Sequence, residues 1–486
     1  MIRTLPLYAA DEAGAADAGA IEGLGIPGAV LMERAGVAAA QEIQRTFPRG
    51  SVAVVCGGGR NGGDGFVVAR HLHAAGWEVE CLLASDPTGL PAEARLNHDV
   101  AVRLGVPMRD GVRRERVRRA DVVVDALLGT GFHGSPRPEA ARVIAALEGH
   151  QGVVALDVPS GVDASTGVIA GAAVEAQTTI CFHGRKLGTA VEPGRSASGR
   201  VVVADIGIPP QADAATRAVL ADGLTGLSKQ AGATKYTAGA VLVIGGARGF
   251  SGAPLMAALA ALRASAGIVW VATPPDAARI LEARVPEIMV RPLPGALELL
   301  ERADAVALGP GLGRTPDAIE LAREVGIGHA GATVIDADGL FAFNGDLKAL
   351  RARRTPAVLT PHEGEMGRLL GESSDWVRAN RLEAVRRAAS ESGSVVLLKG
   401  PDTLVAHPDG RVCVSHAGVS GLATAGSGDV LTGVVAAMLG RAPDAWTAAA
   451  AAAEAHGRAG RLASERLGPA GIIATDVIQS LPEALR

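Results

Sequence analysis

The fold of this chain is decided by residues 51–65, which read SVAVVCGGGRNGGDG. The apolar, largely β-branched residues 51–56 predict a buried strand, and a helical pattern follows the glycines. Gly57, Gly59 and Gly62 match the pattern G-x-G-x-x-G between a strand and a helix. Small residues at these positions let the backbone turn sharply and approach a phosphate. The segment is therefore typical of a nucleotide-binding strand-turn-helix unit.

Short apolar strands alternate with helical patterns in both halves of the chain. In the first half the predicted strands are 51–56, 77–83, 121–127, 152–158, 178–182 and 200–206, with helices such as 64–75 and 138–148 between them. In the second half they are 240–245, 268–273, 304–309, 332–336, 356–360 and 394–399, followed by a hairpin at 402–407 and 411–415. Such alternation is typical of a parallel sheet covered by helices on both faces. We predict an α/β fold with two three-layer domains, residues 1–215 and 225–486.

Composition and charge exclude several classes of function. The net charge is −4, and the basic run Arg113 to Arg119 is interrupted by Glu115 and contains no aromatic residue, so we expect no nucleic-acid partner. The first residues lack the apolar core of a signal peptide, and the alanine run 448–453 is too short to span a membrane. Four scattered cysteines indicate free thiols in a reducing compartment. We expect a cytoplasmic protein with no membrane partner.

Oxygen-bearing side chains stand at the ends of three predicted strands in the first half. They are Asn61, Asp64, Asp125, Asp157 and Ser160. The carboxyl ends of parallel strands open into one crevice, where ligands bind. Amide, hydroxyl and carboxylate oxygens suit a hard cation, and no soft ligand set is present. We therefore expect a ligand site with a cation-binding capacity at this rim.

Three motifs of the first half resemble the NAD(P)HX epimerase family over about residues 1–210. They are GGGRNGGDG at 57–65, DALLGTG at 125–131 and DVPSGVD at 157–163. The resemblance implies a Rossmann-like domain that epimerises C6 of hydrated NADH and NADPH (NADHX and NADPHX) and binds K+. The family usually has Asn where this chain has Arg60.

The resemblance also implies roles for individual residues. It implies that the K+ site is formed by Asn61, Asp125 and Ser160. It implies that the hydrated substrate contacts Asn61, Gly62, Gly63, Asp64, Gly129, Thr130, Gly131, Phe132, His133, Gly134 and Asp157. Epimerisation requires an acid to assist departure of the hydroxyl group and a carboxylate to stabilise the cationic ring. Asp157 and Asp64 are both candidates.

In the second half, the segment Ala425-Gly426-Ser427-Gly428-Asp429 opens an apolar helix. Backbone N–H groups at a helix N-terminus bind anions, and glycines allow close approach. Asp429 places a potential base beside that anion. This combination is suited to phosphoryl transfer. Other strand ends are polar or glycine-rich as well, and they should converge on the same edge: 245–254, 309–313, 336–339, 360–366 and 399–402.

These second-half motifs resemble the ADP/ATP-dependent NAD(P)HX dehydratase family, which has a ribokinase-like fold, from about Lys235 to the end of the chain. The matching segments are TPHEGEM at 360–366, LLKGPDT at 397–403 and ATAGSGDVLTG at 423–433. The resemblance implies that Ala253, Gly311, His362 and Asp429 contact the hydrated substrate. It implies that the adenine nucleotide is bound by Lys399, Gly400, Pro401, Asp402, Thr403, Gly426, Ser427 and Gly428. It makes Asp429 the catalytic base, and it implies a homo-oligomer.

Hydroxide is a poor leaving group, and phosphorylation solves that problem. Asp429 can remove the proton of the C6 hydroxyl group so that its oxygen attacks the terminal phosphoryl group of ADP, assisted by Mg2+. Phosphate then leaves and the ring regains its double bond. The residues do not distinguish ADP from ATP as the co-substrate.

Three alternatives remain open from the residues alone. The first is a ribokinase-like kinase for a small molecule such as a vitamin alcohol. The second is an NAD-linked dehydrogenase that uses the Gly57 fingerprint, with Glu78 or Glu80 on the ribose. The third is a nucleotide sensor without catalytic activity. The segment 360–366 favours the dehydratase over the kinase. The polar loop around Asn61 argues against the dehydrogenase.

Overall fold

The computed structural model of the protein describes residues 2–225, 232 and 234–486. Residues 226–231 and 233, near the start of the predicted second domain, lie outside the described residues. The chain forms two compact units, Pro6–Ala218 and Met1–Leu5 together with Val219–Arg486. The assignment of the first five residues to the second unit has no counterpart in the sequence patterns.

The described residues form 18 strands. In chain order they are β1 (Ile2–Leu7), β2 (Ser51–Cys56), β3 (Glu78–Leu83), β4 (Met108–Asp110), β5 (Val122–Ala126), β6 (Val153–Leu156), β7 (Thr178–Phe182), β8 (Arg200–Ala204), β9 (Ala218–Leu224), β10 (Ala240–Ile244), β11 (Ile268–Thr273), β12 (Met289–Pro292), β13 (Ala305–Leu308), β14 (Ala332–Ile335), β15 (Val358–Leu359), β16 (Val395–Leu398), β17 (Thr403–Ala406) and β18 (Val412–Ser415).

The same residues form 17 α-helices. In chain order they are α1 (Ala10–Ala18), α2 (Gly28–Thr46), α3 (Arg60–Ala74), α4 (Ala92–Arg103), α5 (Arg114–Arg119), α6 (Pro138–Leu147), α7 (Gly194–Ser198), α8 (Gly252–Arg263), α9 (Pro275–Glu282), α10 (Pro316–Gly328), α11 (Asp338–Phe341), α12 (Glu363–Leu370), α13 (Ser374–Ala379), α14 (Arg381–Ser392), α15 (Ser427–Leu439), α16 (Ala445–Leu467) and α17 (Ala474–Ala484). None of the helices in this described part is long and apolar enough to cross a bilayer.

The N-terminal unit contains a parallel seven-stranded sheet in the order β4-β3-β2-β5-β6-β7-β8. Successive residues of a strand point to opposite faces, so β2 feeds two cores. Val52 and Val54 pack under α2 and α3 with Phe66, whereas Ala53 and Val55 pack with residues of α5 and α6. The predicted three-layer α/β architecture is confirmed.

Helix α3, which follows β2, begins earlier than the sequence predicted. A helix was expected from residue 64, but α3 starts at Arg60. Its first turn therefore contains Gly62 and Gly63, which are buried. Asn61 and Asp64 are three residues apart in this turn, so they lie on one face of the helix. The glycines hid this turn because glycine has a low helix propensity.

The second unit has an eleven-stranded sheet in the order β1-β9-β18-β17-β16-β15-β14-β13-β10-β11-β12. Strands β10 to β16 are parallel to one another. The β16-β17 and β17-β18 pairs are antiparallel, as the predicted hairpin requires. In both sheets the direction of winding changes beside the first parallel strand, between β2 and β5 and between β10 and β13. Ligands bind at such switch points in open α/β sheets.

Helix α15 is buried in the second unit, where it packs against α8 and α16. Its approach to α8 is so close that a Cβ atom on Gly433 would lie 2.0 Å from the carbonyl oxygen of Ala257. A backbone atom cannot give way as a flexible side chain can. Glycine at 433 therefore holds α15, and with it the helix start at Ser427, at its depth in the unit.

We predict that Gly433→Ala destabilises the second unit by about 1–3 kcal/mol, because the added methyl group overpacks the contact between α15 and α8. Gly440→Ala is the matched control, since the nearest atom to its new Cβ is 3.6 Å away. Differential scanning calorimetry of the full chain checks this expectation. Equal unfolding temperatures for the two variants would contradict it.

Candidate active sites

The N-terminal unit has a cleft of about 990 Å³ at the carboxyl edge of its sheet. Among its lining residues are the expected site residues Asn61, Asp64, Gly129, Thr130, Gly131, Phe132, His133 and Asp157. Gly62, Gly63, Gly134, Asp125 and Ser160 are not among them. The strand ends thus bring most of the expected substrate contacts to one cavity, as the switch-point geometry requires.

Asn61, Asp125 and Ser160 are held together by a buried hydrogen-bond network. The Asn61 amide group donates to the carbonyl oxygen of Leu128 at 2.7 Å. The N–H of Leu128 donates to Ser160 Oγ at 2.9 Å, and this hydroxyl group donates to Asp125 Oδ1 at 2.6 Å. Burial raises the pKa of Asp125, although hydrogen bonds from Ser160 oppose the shift. The three predicted cation ligands therefore share one buried location.

One polar atom in this network has no partner. Asn61 Oδ1 is buried and accepts no hydrogen bond from the described residues. Buried acceptors are normally satisfied, so an orphaned amide oxygen beside a carboxylate and a hydroxyl group fits a hard cation. Among the described residues no group of three or more His, Cys, Asp or Glu side chains is arranged to hold a metal. A cation here would be held by neutral oxygen atoms together with the carboxylate of Asp125.

Asp157 forms an ion pair with a lysine that the sequence analysis missed. Lys186 Nζ donates to Asp157 Oδ1 at 2.5 Å, and also to the carbonyl oxygens of Phe182 and Gly184. Lys186 is only 3% exposed, and Asp157 has a left-handed φ of 66°. The chain has only five lysines, and one that lies four residues after a buried strand was the available signal.

Two further carboxyl groups line the same cleft. Burial raises the pKa of Asp64 well above its ordinary value, and the charges of Asp157 and Asp17 raise it further. Burial and the charge of Asp157 also raise the pKa of Asp17. Within the described residues the Asp64 carboxyl group makes no hydrogen bond or ion pair. The site therefore contains a carboxyl group with a raised pKa beside a carboxylate that is paired with a lysine.

In the second unit, the expected anion-binding turn opens α15. Gly426 is the N-cap residue, with a left-handed φ of 85°. The first N–H groups of a helix have no acceptor within it, so those of the turn can bind an anion. Ser427 is buried and lies 3.3 Å from His456 Nε2 through its Oγ. Burial and the charge of Lys399 lower the pKa of His456 to about 4, so this imidazole is neutral.

Lys399 follows β16 and lies beside the same turn. Its Nζ is 3.2 Å from the position that a Cβ atom on Gly428 would occupy, and it donates to Asp336 Oδ1 at 2.7 Å. Asp336 also accepts a hydrogen bond from the Thr432 hydroxyl group. Burial opposes the charge of Lys399, but the carboxylates of Asp336 and Glu365 raise its pKa above the ordinary value. The turn thus has a fixed positive charge.

Asp429 stands in the first turn of α15. Burial and the charge of Asp336 raise its pKa to about 7, although Lys399 opposes the shift. Its carboxyl group has no hydrogen bond or ion pair within the described part of the chain. A carboxyl group with a pKa near neutrality can accept a proton from a substrate and release it again.

The remaining expected substrate contacts come from other strand ends. His362 is the N-cap residue of α12, and 57% of its side chain is exposed. Its Nδ1 accepts the N–H of Gly364 at 3.0 Å. Gly311 has a φ of 60°, and a Cβ atom there would lie 3.2 Å from the Cβ of Ala253. The structure therefore brings Gly311 and Ala253 together and leaves one edge of His362 open to a ligand.

The expected nucleotide contacts at 399–403 differ in their exposure. Gly400 and Pro401 are exposed and Thr403 is partly exposed. Asp402 is fully buried, and its carboxylate pairs with Arg381 at 2.9 Å. Its side chain therefore supports the loop from inside instead of facing solvent. Arg381 was not predicted as a functional residue, because nothing in a polar helical segment indicates that one of its arginines is buried.

Family comparisons match both halves of the chain. A family described as "NAD(P)H-hydrate dehydratase" matches residues 241–483, and one described as "YjeF-related protein N-terminus" matches residues 28–188. These matches confirm the ribokinase-like and Rossmann-like fold assignments.

Full-length relatives are also similar to this chain. Proteins named bifunctional NAD(P)H-hydrate repair enzyme from Moorella thermoacetica and Escherichia coli are 41% and 36% identical to it. The matches cover 95% and 98% of this chain, and 93% of each relative. A solved structure of the ADP/ATP-dependent NAD(P)H-hydrate dehydratase from Bacillus subtilis, co-crystallized with ATP/Mg2+, is 27% identical. The match covers 54% of this chain and 93% of the Bacillus subtilis chain, with a TM-score of 0.48.

We predict that the unpaired carboxyl group of Asp429 costs stability at high pH. Its folded pKa of about 7 exceeds the ordinary 3.8, so the folded state binds the proton more tightly than the unfolded state. Its contribution to stability is complete below pH 3.8 and is lost as pH rises to 7. The stability advantage of Asp429→Asn over the wild type should therefore grow by on the order of 2 kcal/mol between pH 5 and pH 8.

Urea unfolding of both proteins at pH 5 and pH 8 measures this difference. Asp317→Asn, on the exposed first turn of α10, is the control and should show no such gain. A gain for Asp429→Asn that is the same at both pH values would show that the carboxyl group does not titrate in this range.

Proposed function

The chain belongs to the bifunctional NAD(P)H-hydrate repair enzymes, and on this basis we propose which of its residues perform the two reactions. The protein combines an NAD(P)H-hydrate epimerase with an NAD(P)H-hydrate dehydratase. We assign epimerisation of (R)- and (S)-NAD(P)HX at C6 to the cleft of the N-terminal unit. We assign dehydration of (S)-NAD(P)HX to the carboxyl edge of the second sheet.

Asp429 is the base of the dehydratase. It removes the proton of the C6 hydroxyl group, and the hydroxyl oxygen attacks the terminal phosphoryl group of ADP with loss of AMP. The ring nitrogen then expels phosphate from C6, and loss of a proton from C5 restores the double bond. The observation that carries this proposal is the position of Asp429, which combines a pKa of about 7 with the first turn of the anion-binding helix.

The nucleotide phosphates are bound by the turn at Gly426, Ser427 and Gly428 with the ammonium group of Lys399. Backbone N–H groups and a fixed cation stabilise the charge of the transferring phosphoryl group. The adenylate is held by the exposed part of the loop at 400–403. We propose ADP as the co-substrate. ATP also ends in a transferable phosphoryl group, so it can take the place of ADP.

Mg2+ accompanies the nucleotide in this proposal. It neutralises phosphate charge when bound. In the described residues no dedicated acidic cluster is found for it, which fits an ion held mainly by phosphate oxygens and water.

In the epimerase, Asp64 is the acid and Asp157 the stabilising carboxylate. The pKa of Asp64 is raised well above its ordinary value and its carboxyl group is unpaired within the described residues, so its protonated form can donate a proton to the departing C6 hydroxyl group. The ring nitrogen assists departure, and the planar cation that results is stabilised by Asp157, which Lys186 holds in position. Water then returns to the opposite face and Asp64 recovers its proton.

We propose that K+ is held by Asn61, Asp125 and Ser160, since Asn61 Oδ1 is a buried oxygen without a partner. The ion supplies positive charge near the nucleotide-binding loop. Asn61 also lines the cleft, so it links the ion site to the substrate.

We predict that Asp429→Asn lowers the rate of ADP-dependent repair by about 10²–10⁴-fold, because the positioned base is lost. The two epimers should still interconvert at the wild-type rate. The assay mixes protein, ADP and enzymatically prepared NADH hydrate and follows the return of reduced-nicotinamide absorbance. Joint loss of both activities in a folded variant would contradict separate sites. Accumulation of a stable phosphorylated alcohol by the wild type would favour a small-molecule kinase instead.

Replacing K+ with tetramethylammonium should slow epimerisation about tenfold or more, equivalent to ~1.4 kcal/mol of transition-state stabilisation. The large cation cannot enter a site formed by Asn61 and Asp125. K+ should also raise the unfolding temperature of the wild type, because it binds only the folded state. Asn61→Ala should remove that rise. The same unfolding temperature in both salts for the wild type would remove the proposed ion site.

A further inference from the structure

The guanidinium group of Arg381 is buried between two loops of the second unit. Arg381 is the first residue of α14, and only 1% of it is exposed. A buried arginine is rare unless its donors are satisfied. Its partners lie in loops that follow strands, and these loops carry the expected ligand contacts.

On one side Arg381 holds the nucleotide loop, residues 399–403. Its Nε pairs with Asp402 Oδ1 at 2.9 Å, and its Nη2 donates to the carbonyl oxygens of Asp402 at 2.7 Å and Lys399 at 3.3 Å. A Cβ atom on Gly400 would lie 2.3 Å from Nη2, so the loop backbone rests directly on the guanidinium group. The loop therefore takes its shape from this side chain.

On the other side Arg381 holds the turn that begins α12. Its Nη1 donates to Glu363 Oε1 at 2.7 Å. Glu363 directly follows His362, the expected substrate contact. The second oxygen of Glu363 accepts a hydrogen bond from Arg378 Nε at 3.1 Å, but the Arg378 side chain is 63% exposed. Of these two arginines, only Arg381 contacts both loops in the described structure. The N–H of Lys399 also donates to the carbonyl oxygen of Pro361 at 2.9 Å, so a backbone hydrogen bond joins the two loops beside the side chain.

We propose that Arg381 is a positioning residue that couples the nucleotide loop to the substrate turn of the dehydratase. The inference rests on the proposed function, since it assumes that these two loops bind ADP and the hydrated coenzyme. Arginine suits the task because its planar fork presents five donors to several acceptors at fixed angles. The ammonium group of a lysine keeps the charge but cannot reach both loops in this way.

The test measures whether a change in the substrate turn is felt at the nucleotide loop. ADP with Mg2+ is titrated by calorimetry into the full-length wild type, Glu363→Gln, Arg381→Lys and the double variant. Glu363→Gln should weaken ADP binding about fivefold, although removing a negative charge by itself favours binding of an anion. In the Arg381→Lys background the same change should alter ADP binding by less than about twofold, since the link is already broken.

Arg378→Lys is the matched control. It alters a contact to the same Glu363 carboxylate, but Arg378 touches neither Asp402 nor Lys399 in the described structure. It should bind ADP within about twofold of the wild type. Epimerase activity and the unfolding temperature of each variant verify that the chain is folded.

The outcomes separate this inference from the proposed function. A wild type that does not bind ADP overturns the proposed function, and the inference with it. A wild type that binds ADP, with Glu363→Gln unchanged or with equal effects of Glu363→Gln in both backgrounds, overturns the coupling alone. Equal loss of ADP binding in Arg378→Lys and Glu363→Gln would also overturn it, since the surface arginine would then be the link.

Discussion

In both units the carboxyl ends of parallel strands lie along one edge of a sheet, and the functional side chains are fixed by that constraint. Each sheet changes its direction of winding beside its first parallel strand, and the opening there is bordered by a glycine-rich helix start. Residues far apart in the chain, such as Asn61 and Ser160, become neighbours only because their strands end at this edge. Without the parallel order neither site would form.

The two sites use a similar arrangement of charges. In each, a lysine that follows a strand pairs with one aspartate, the buried Lys186 with Asp157 and the partly exposed Lys399 with Asp336. Beside each pair lies a second carboxyl group with a raised pKa, Asp64 in one unit and Asp429 in the other. Neither of them makes a hydrogen bond or an ion pair within the part of the chain that the structure describes. Burial shifts this second carboxyl group towards proton transfer near neutral pH, and the ion pair keeps a charge in place.

The central strands were predictable because each is a short apolar run, as in 51–56 and 240–245. The edge strands β1, β4 and β12, and the strand β9 beside β1, were not predicted. They are short or half-exposed, so their sequences lack both a continuous apolar run and regular alternation. The early start of α3 at Arg60 was missed because two glycines in its first turn disguise the helix.

The α/β class, the two glycine-rich turns and the position of Asp429 in the first turn of a helix were predictable from the sequence, since these depend on residue types at short, regular spacing. Which distant groups contact one another depends on the tertiary structure. It paired Lys186 with Asp157, placed Asp17 near Asp64 and buried Arg381 between two loops. A shifted pKa and a buried ion pair both depend on burial and on the distances between groups on different strands. Local sequence does not specify either burial or these distances.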